Sequence, residues 1–166
     1  MPAGYISIGS NIDKANNIRS SINALQAVFG SIALSSIYET DAVGFMGESF
    51  YNLVVRFQSS LPAKQVAKQL KQIELEHGRH HHSQKFSPRT LDLDLILYGD
   101  EIIDEGRLQI PRDDIERYAF VLEPLTEIAG TEKHPVSGKT YAELWEAFDK
   151  TGLKRMKFNP DKLSGK

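Results

Sequence analysis

The sequence contains no cysteine, which excludes disulfide staples, thiolate metal ligands and thiol nucleophiles, and suits a reducing compartment. It has no apolar run long enough to span a bilayer and no recognisable leader, so the expectation is a cytoplasmic chain without a membrane partner. It has no excess of basic residues either. A formal charge of -2 over 166 residues argues against a general nucleic-acid binder, whose phosphate contacts call for a positive surface. Internal repeats and composition breaks are also missing. The chain therefore reads as one domain over residues 1–150, large enough to bury a real core, and a polar tail over 151–166. Lys154, Arg155, Lys157, Lys162 and Lys166 give that tail charge without a period, which predicts a loosely held segment.

What the chain does have is concentrated between Phe86 and Tyr98. After a Ser87-Pro88-Arg89 corner, Leu91, Leu93, Leu95 and Leu97 alternate with other residues at period two, which predicts a strand with the leucines on one face. Asp92 and Asp94 then emerge together on the other face. Two strand residues separate their backbones by roughly 6.5 Å, a span suited to gripping one or two hard cations from one side. A solvated strand face also accommodates such a pair. Asp is a poor strand former, however, and like charges side by side are relieved by a cation, so the spacing favours metal without establishing it.

Around this segment the periodicity alternates between strand and helix. Tyr5 to Ile8 reads as a strand, and Ile18, Ile22, Leu25, Val28 and Phe29 recur at helical spacing. Ile32 to Tyr38 and Phe50 to Phe57 read as further strands. Pro62 opens a helix whose stripe is Ala63, Val66, Ala67, Leu70 and Ile73. The order is β-α-β-β-α-β, which predicts an α+β, ferredoxin-like sandwich. A C-terminal hairpin through Ile102, Ile103 and Leu108 to Pro111 follows. Short helices near Ala119 to Leu122, and a last one carrying Tyr141, Leu144, Trp145 and Phe148, complete the expectation.

The run K-F-S-P-R-T-L-D-L-D-L-I-L-Y-G-D resembles the signature of the 6-hydroxymethyl-7,8-dihydropterin pyrophosphokinase family. Tyr5-Ile6-Ser7-Ile8-Gly9-Ser10-Asn11, Ser35 to Thr40 with Val43-Gly44, Phe50-Tyr51-Asn52, Ile73 to Glu76 with Gly78-Arg79, and Ala119 to Leu122 with Pro124-Leu125 match in the same order. The resemblance covers roughly the first three-quarters of the chain. It implies transfer of pyrophosphate from ATP to a pterin alcohol by a monomer that uses small-molecule substrates alone. It further implies two magnesium ions on Asp92 and Asp94, with Arg89 and Arg79 at the transferring phosphates. ATP contacts carried over are Lys71, Glu74, His81, Lys85, Arg89, Leu95, Arg107 and Arg112. Pterin contacts are Gly9, Thr40, Val43, Phe50, Asn52, Phe86 and Phe120. Phe86 and Phe120 provide stacking faces, and the Asn52 amide reads the ring edge. The loop from Gly78 to Phe86, with His80, His81 and His82, is expected to act as a lid.

Several positions depart from the family's pattern. Asp41 replaces a proline, His81 an arginine, Phe86 a tryptophan, Arg112 a histidine and Tyr118 an arginine, and Asp113 adds a negative charge. Two rival readings follow: a divergent member that binds pterin or nucleotide with little turnover, and an RNA or small-ligand module of the same fold. The substitutions predict weak ATP binding that strengthens as pH falls from about 8 to 6, through the ordinary histidine pKa near 6.5. Calorimetry with an ATP analogue at saturating magnesium, with His81→Ala as control, measures this. His81→Arg combined with Tyr118→Arg should tighten binding at least tenfold, since each charge-assisted hydrogen bond contributes about 1.5–3 kcal/mol. A double variant no tighter than wild type would show that other cations already supply the charge.

Overall fold

The computed structural model describes residues 2–40, 49–78 and 91–164. Its framework is an antiparallel sheet in which β1 (Ala3–Ser10) lies between β4 (Phe50–Gln58) and β5 (Asp92–Tyr98). β3 (Ile37–Thr40) pairs on the far side of β4, and β8 (Met156–Phe158) pairs on the far side of β3. The short β2 (Ala33–Leu34) also pairs with β4. One strand was expected from Ile32 to Tyr38, but two form, because Ser35 turns its own hydroxyl into the ladder. Val54 N donates to Ser35 Oγ at 2.9 Å, and Ser35 N donates to the Val54 carbonyl at 2.9 Å.

The sheet divides two cores. α1 (Lys14–Phe29) and α2 (Ala63–Glu76) cover one face, where Ile18, Leu25, Val66, Leu70 and Ile73 pack against Ile6, Ile8, Leu53, Leu93 and Leu95. Of the predicted stripe of α2, Ala63, Val66, Leu70 and Ile73 are buried, while Ala67 is half-buried at the cleft. A two-stranded hairpin of β6 (Ile103–Glu105) and β7 (Leu108–Ile110) follows β5. α3 (Asp114–Arg117), α4 (Ala119–Ala129) and α5 (Tyr141–Ala147) cover the opposite face through Ile115, Val121, Leu122, Leu125 and Tyr141. α4 runs well past Leu122, where the sequence reading stopped. Pro124 lies at its midpoint, where it removes the hydrogen bond to the Phe120 carbonyl without ending the helix. α5 starts with a reciprocal capping box: Glu143 N donates to Thr140 Oγ1 at 3.1 Å, and Thr140 N donates to Glu143 Oε1 at 2.8 Å.

The leucine alternation of β5 holds for Leu91, Leu93 and Leu95 and then breaks. Tyr5 pairs with Leu97 and Ile6 with Leu95, so Ile96 is an extra residue in the ladder. This bulge turns Leu97 onto the face of α3 and α4, beside Ile96, instead of the face of its predicted partners.

The C-terminal segment also departs from expectation. Residues 156–158 add an edge strand, with Ile37 opposite Phe158, and a 3-10 turn over Pro160–Ser164 places Leu163 in the core of α1 and α2. Arg155 grips Glu123 with two hydrogen bonds of 2.8 Å, and Arg19 Nη1 donates to the Leu163 carbonyl. A polar composition hid one apolar anchor at each end of this segment, Phe158 and Leu163. Leu163→Ala should therefore lower stability by about 2–5 kcal/mol in denaturant unfolding. A loss below about 0.5 kcal/mol would mean that the segment is only loosely attached.

Candidate active site

The register of three strands sets the site. Gly9 on β1 is paired with Asn52 on β4 and with Asp92 on β5, so one rung of the sheet carries an amide, a bare backbone and a carboxylate. Ser7 pairs with Val54 and Asp94 one repeat along. Because Leu93 and Leu95 face the core of α1 and α2, Asp92 and Asp94 stand on the opposite face, as their alternation predicts. Both are partly exposed. Gly9 is required by its neighbour, since a Cβ there would lie 2.8 Å from Asn52 Oδ1. Asn52 is buried, and its Nδ2 makes a long contact of 3.4 Å to Thr40 Oγ1.

β5 is the outer strand of the sheet, and α2 closes its open side. The carboxylate of Glu74, buried on α2, accepts a hydrogen bond of 2.6 Å from the backbone N–H of Leu93, the residue between the two aspartates. The resemblance implies a nucleotide contact for Glu74, and nothing in the sequence points to this bond with the strand.

Along the same edge runs a cleft of about 570 Å³. Lys71, Glu74, Asp92, Asp94, Leu95, Arg107 and Arg112 all line it, so the nucleotide-side residues singled out from sequence and described here converge on one cavity. Its other polar walls are Lys64, Lys68 and Gln109. These were missed, although Lys64, Lys68 and Lys71 recur at the four- and three-residue spacing that puts them on one helix face. Arg112 is fixed by its backbone N–H, which donates to the Ile96 carbonyl at the bulge at 3.1 Å, and by a 3.3 Å contact from Nη2 to Asp114. Its Nε is buried and has no acceptor among the described residues.

On the sheet face, Phe50 pairs with Thr40 at the end of β4, while Phe120 packs at the start of α4 against the core that includes Val54. Tyr118 stacks on Phe120 with ring centroids 5.0 Å apart and 21° between planes. The guanidinium of Arg117 lies 5.7 Å from the Tyr118 ring. On the other face of the sheet, Lys14 at the start of α1 donates to Ser49 Oγ at 3.0 Å and lies 4.9 Å over the Tyr51 ring. Burial, reinforced by the charge of Glu39, raises the Tyr51 phenol above its ordinary pKa. Arg79, His80, His81, His82, Lys85, Phe86 and Arg89, together with Asp41, Val43 and Gly44, lie outside the described residues. Among the described residues no three acidic or histidine side chains form a group that could hold a metal. No helix among them is long and apolar enough to cross a membrane.

Residues 5–130 match the family described as 7,8-dihydro-6-hydroxymethylpterin-pyrophosphokinase (HPPK). The 2-amino-4-hydroxy-6-hydroxymethyldihydropteridine pyrophosphokinase of Haemophilus influenzae is 33% identical over 164 residues, covering 96% of this chain and 100% of that protein. The folic acid synthesis protein fol1 of Pneumocystis carinii is 36% identical over 149 residues, but the chain spans only 20% of its length. Among solved structures, an HPPK-DHPS of Plasmodium falciparum aligns with a TM-score of 0.70 at 14% identity, covering 87% of this chain and 43% of that one, a likeness of fold.

The rung geometry makes Gly9→Ala a direct test of the site's packing. The added methyl should push the Asn52 amide away and cost about 1–3 kcal/mol of stability, as overpacking does in a filled interior. Amide side-chain resonances of Asn52 report the displacement. Unchanged resonances together with unchanged stability would show that Asn52 does not press on β1.

Proposed function

The chain belongs to the 7,8-dihydro-6-hydroxymethylpterin-pyrophosphokinase family, and we propose how its own residues carry out that family's reaction. It is an ATP-dependent pyrophosphokinase that transfers pyrophosphate from ATP to 6-hydroxymethyl-7,8-dihydropterin in folate biosynthesis. The antiparallel order of β5, β1, β4 and β3, with a helix after β1 and another after β4, supports the ferredoxin-like reading of the fold. The enzyme acts as a cytoplasmic monomer on two small molecules.

The observation that carries the assignment of roles is the position of Asp92, which pairs with Gly9 on one side and lines the edge cleft on the other. Pterin lies on the sheet face, bordered by Gly9, Thr40, Val43, Phe50 and Asn52, with Phe86 and Phe120 stacking on its ring. ATP lies in the cleft among Lys71, Leu95, Arg107 and Arg112, with His81 and Lys85 contributing as the resemblance implies. The buried Nε of Arg112 supports this placement, because a buried donor without an acceptor costs about 1–3 kcal/mol and an oxygen or ring nitrogen of the nucleotide would satisfy it. The departure from histidine at this position then supplies a guanidinium in place of an imidazole.

Asp92 and Asp94 fit magnesium by their donor chemistry: hard oxygens, partly exposed, on one face. Two carboxylates leave room for the waters and phosphate oxygens that this ion retains, and the two ions would neutralise phosphate charge there. The residues otherwise position the reactants. The pterin hydroxymethyl oxygen bonds to the β-phosphorus of ATP, the bond from that phosphorus to the α–β bridging oxygen breaks, AMP leaves with that oxygen, and the hydroxyl proton passes to solvent. Arg89 and Arg79 steady the charge spread over the transferring phosphates.

Asp92→Ala and Asp94→Ala should each cut turnover by at least about 10²–10³-fold with the fold intact, the loss typical of removing one electrostatic contact to the transferring group. Chromatography of the products should show AMP and the pterin diphosphate. ADP as product, or wild-type rates in either variant, would remove the assignment.

A further inference from the structure

We infer that Glu74 is a positioning residue: it holds the strand that carries Asp92 and Asp94 in place from α2, rather than contacting the nucleotide or a metal ion itself. The inference rests on the assignment of those aspartates to magnesium. As the outer strand of the sheet, β5 has β1 on one side only, so the backbone N–H groups on its other side need partners from outside the sheet. Leu93 N finds one in Glu74 Oε2 at 2.6 Å. A carboxylate acceptor makes this bond about twice as strong as a neutral one. The helix end is itself anchored, because Leu70 and Ile73 lie in the core with Leu93 and Leu95. Glu74 is 8% exposed, so water competes little for its oxygen.

The place of the bond matters as much as its strength. It grips β5 at the residue between the aspartates, so any shift of that amide moves both carboxylates together. Displacements of about 1 Å at a reacting site cost on the order of 10²-fold in rate. A role as third metal ligand is disfavoured, since among the described residues no three acidic or histidine side chains are grouped to hold an ion. Glu74 Oε2 is held by the strand.

The test compares Glu74→Leu, which fills a similar volume without an acceptor, with Glu74→Gln, which retains one. Glu74→Ala runs alongside in case the leucine variant does not fold. Calorimetry with a non-hydrolysable ATP analogue across a magnesium titration, pterin binding and steady-state kinetics are the readouts. In the Leu or Ala variant kcat should fall by about 10²-fold and the half-saturating magnesium concentration should rise severalfold. Pterin affinity should stay within about twofold, and Gln should recover most of the loss, as an acceptor retained at the same position implies. Loss of pterin affinity in parallel would mark a general structural defect and overturn the inference. So would a Gln variant as impaired as Leu, which would mean that the charge or a direct contact matters, or wild-type magnesium dependence in the variants that lack an acceptor. Asp92→Asn separates the two layers. If it retains normal magnesium dependence, the metal assignment falls and this inference with it; if it loses it while the Glu74 variants do not, only the role of Glu74 is wrong.

Discussion

Everything at this site depends on the placement of β1. It is hydrogen-bonded along its length to β4 on one side and β5 on the other, and Ile6 and Ile8 are fully buried beneath the helices. Register in such a strand is strongly specified, because a slip of one residue would turn every apolar side chain to the wrong face. The same restriction fixes which residues of β4 and β5 meet at Gly9. Asn52 and Asp92 are brought to either side of Gly9 by the hydrophobic pattern of a strand that contributes no side chain at that rung.

Charge is distributed against the overall balance of the molecule. The chain as a whole is slightly acidic, yet Lys64, Lys68, Lys71, Arg107 and Arg112 line the same cleft as Glu74, Asp92 and Asp94. The cations come from two separate structures, α2 and the region of the β6–β7 hairpin, and the carboxylates sit between them. Such an arrangement concentrates positive potential on a ligand's flanks while leaving room for cations at its centre. Acidic residues elsewhere are used for tethering instead, as Glu123 is by Arg155 and Glu127 by Ser36.

Much of this was legible in the sequence, and the exceptions have physical causes. The stripe of α2 and the face of Asp92 and Asp94 could be read because burial imposes periods of 3.6 and 2 on the chain. Leu97 could not be placed correctly. An alternating run looks the same with or without an extra residue in the ladder, and only the pairing with Tyr5 and Ile6 reveals it. The docking of residues 156–164 was hidden because three residues of edge strand and one buried leucine carry no period. The link from Glu74 to the Leu93 backbone was illegible for a different reason, since one partner is a main-chain amide that every residue possesses. Lys64 and Lys68 had the right spacing, but three lysines on a helix face indicate solvent equally well until a wall appears opposite them.

The bulge at Ile96 divides β5 into two pieces with separate dependencies. Before it, Leu93 and Leu95 answer to α1 and α2; after it, Leu97 answers to α3 and α4. Packing of the second core thus sets Ile96 and Leu97, while packing of the first sets Leu93 and Leu95 on either side of Asp94. The same point joins the two halves by one thread, the Ile96 carbonyl that accepts from Arg112 N. A change in the outer helices therefore has two routes to the aspartates: along β5 from the kink, and sideways through Val54 and Ser7 to the rung of Asp94.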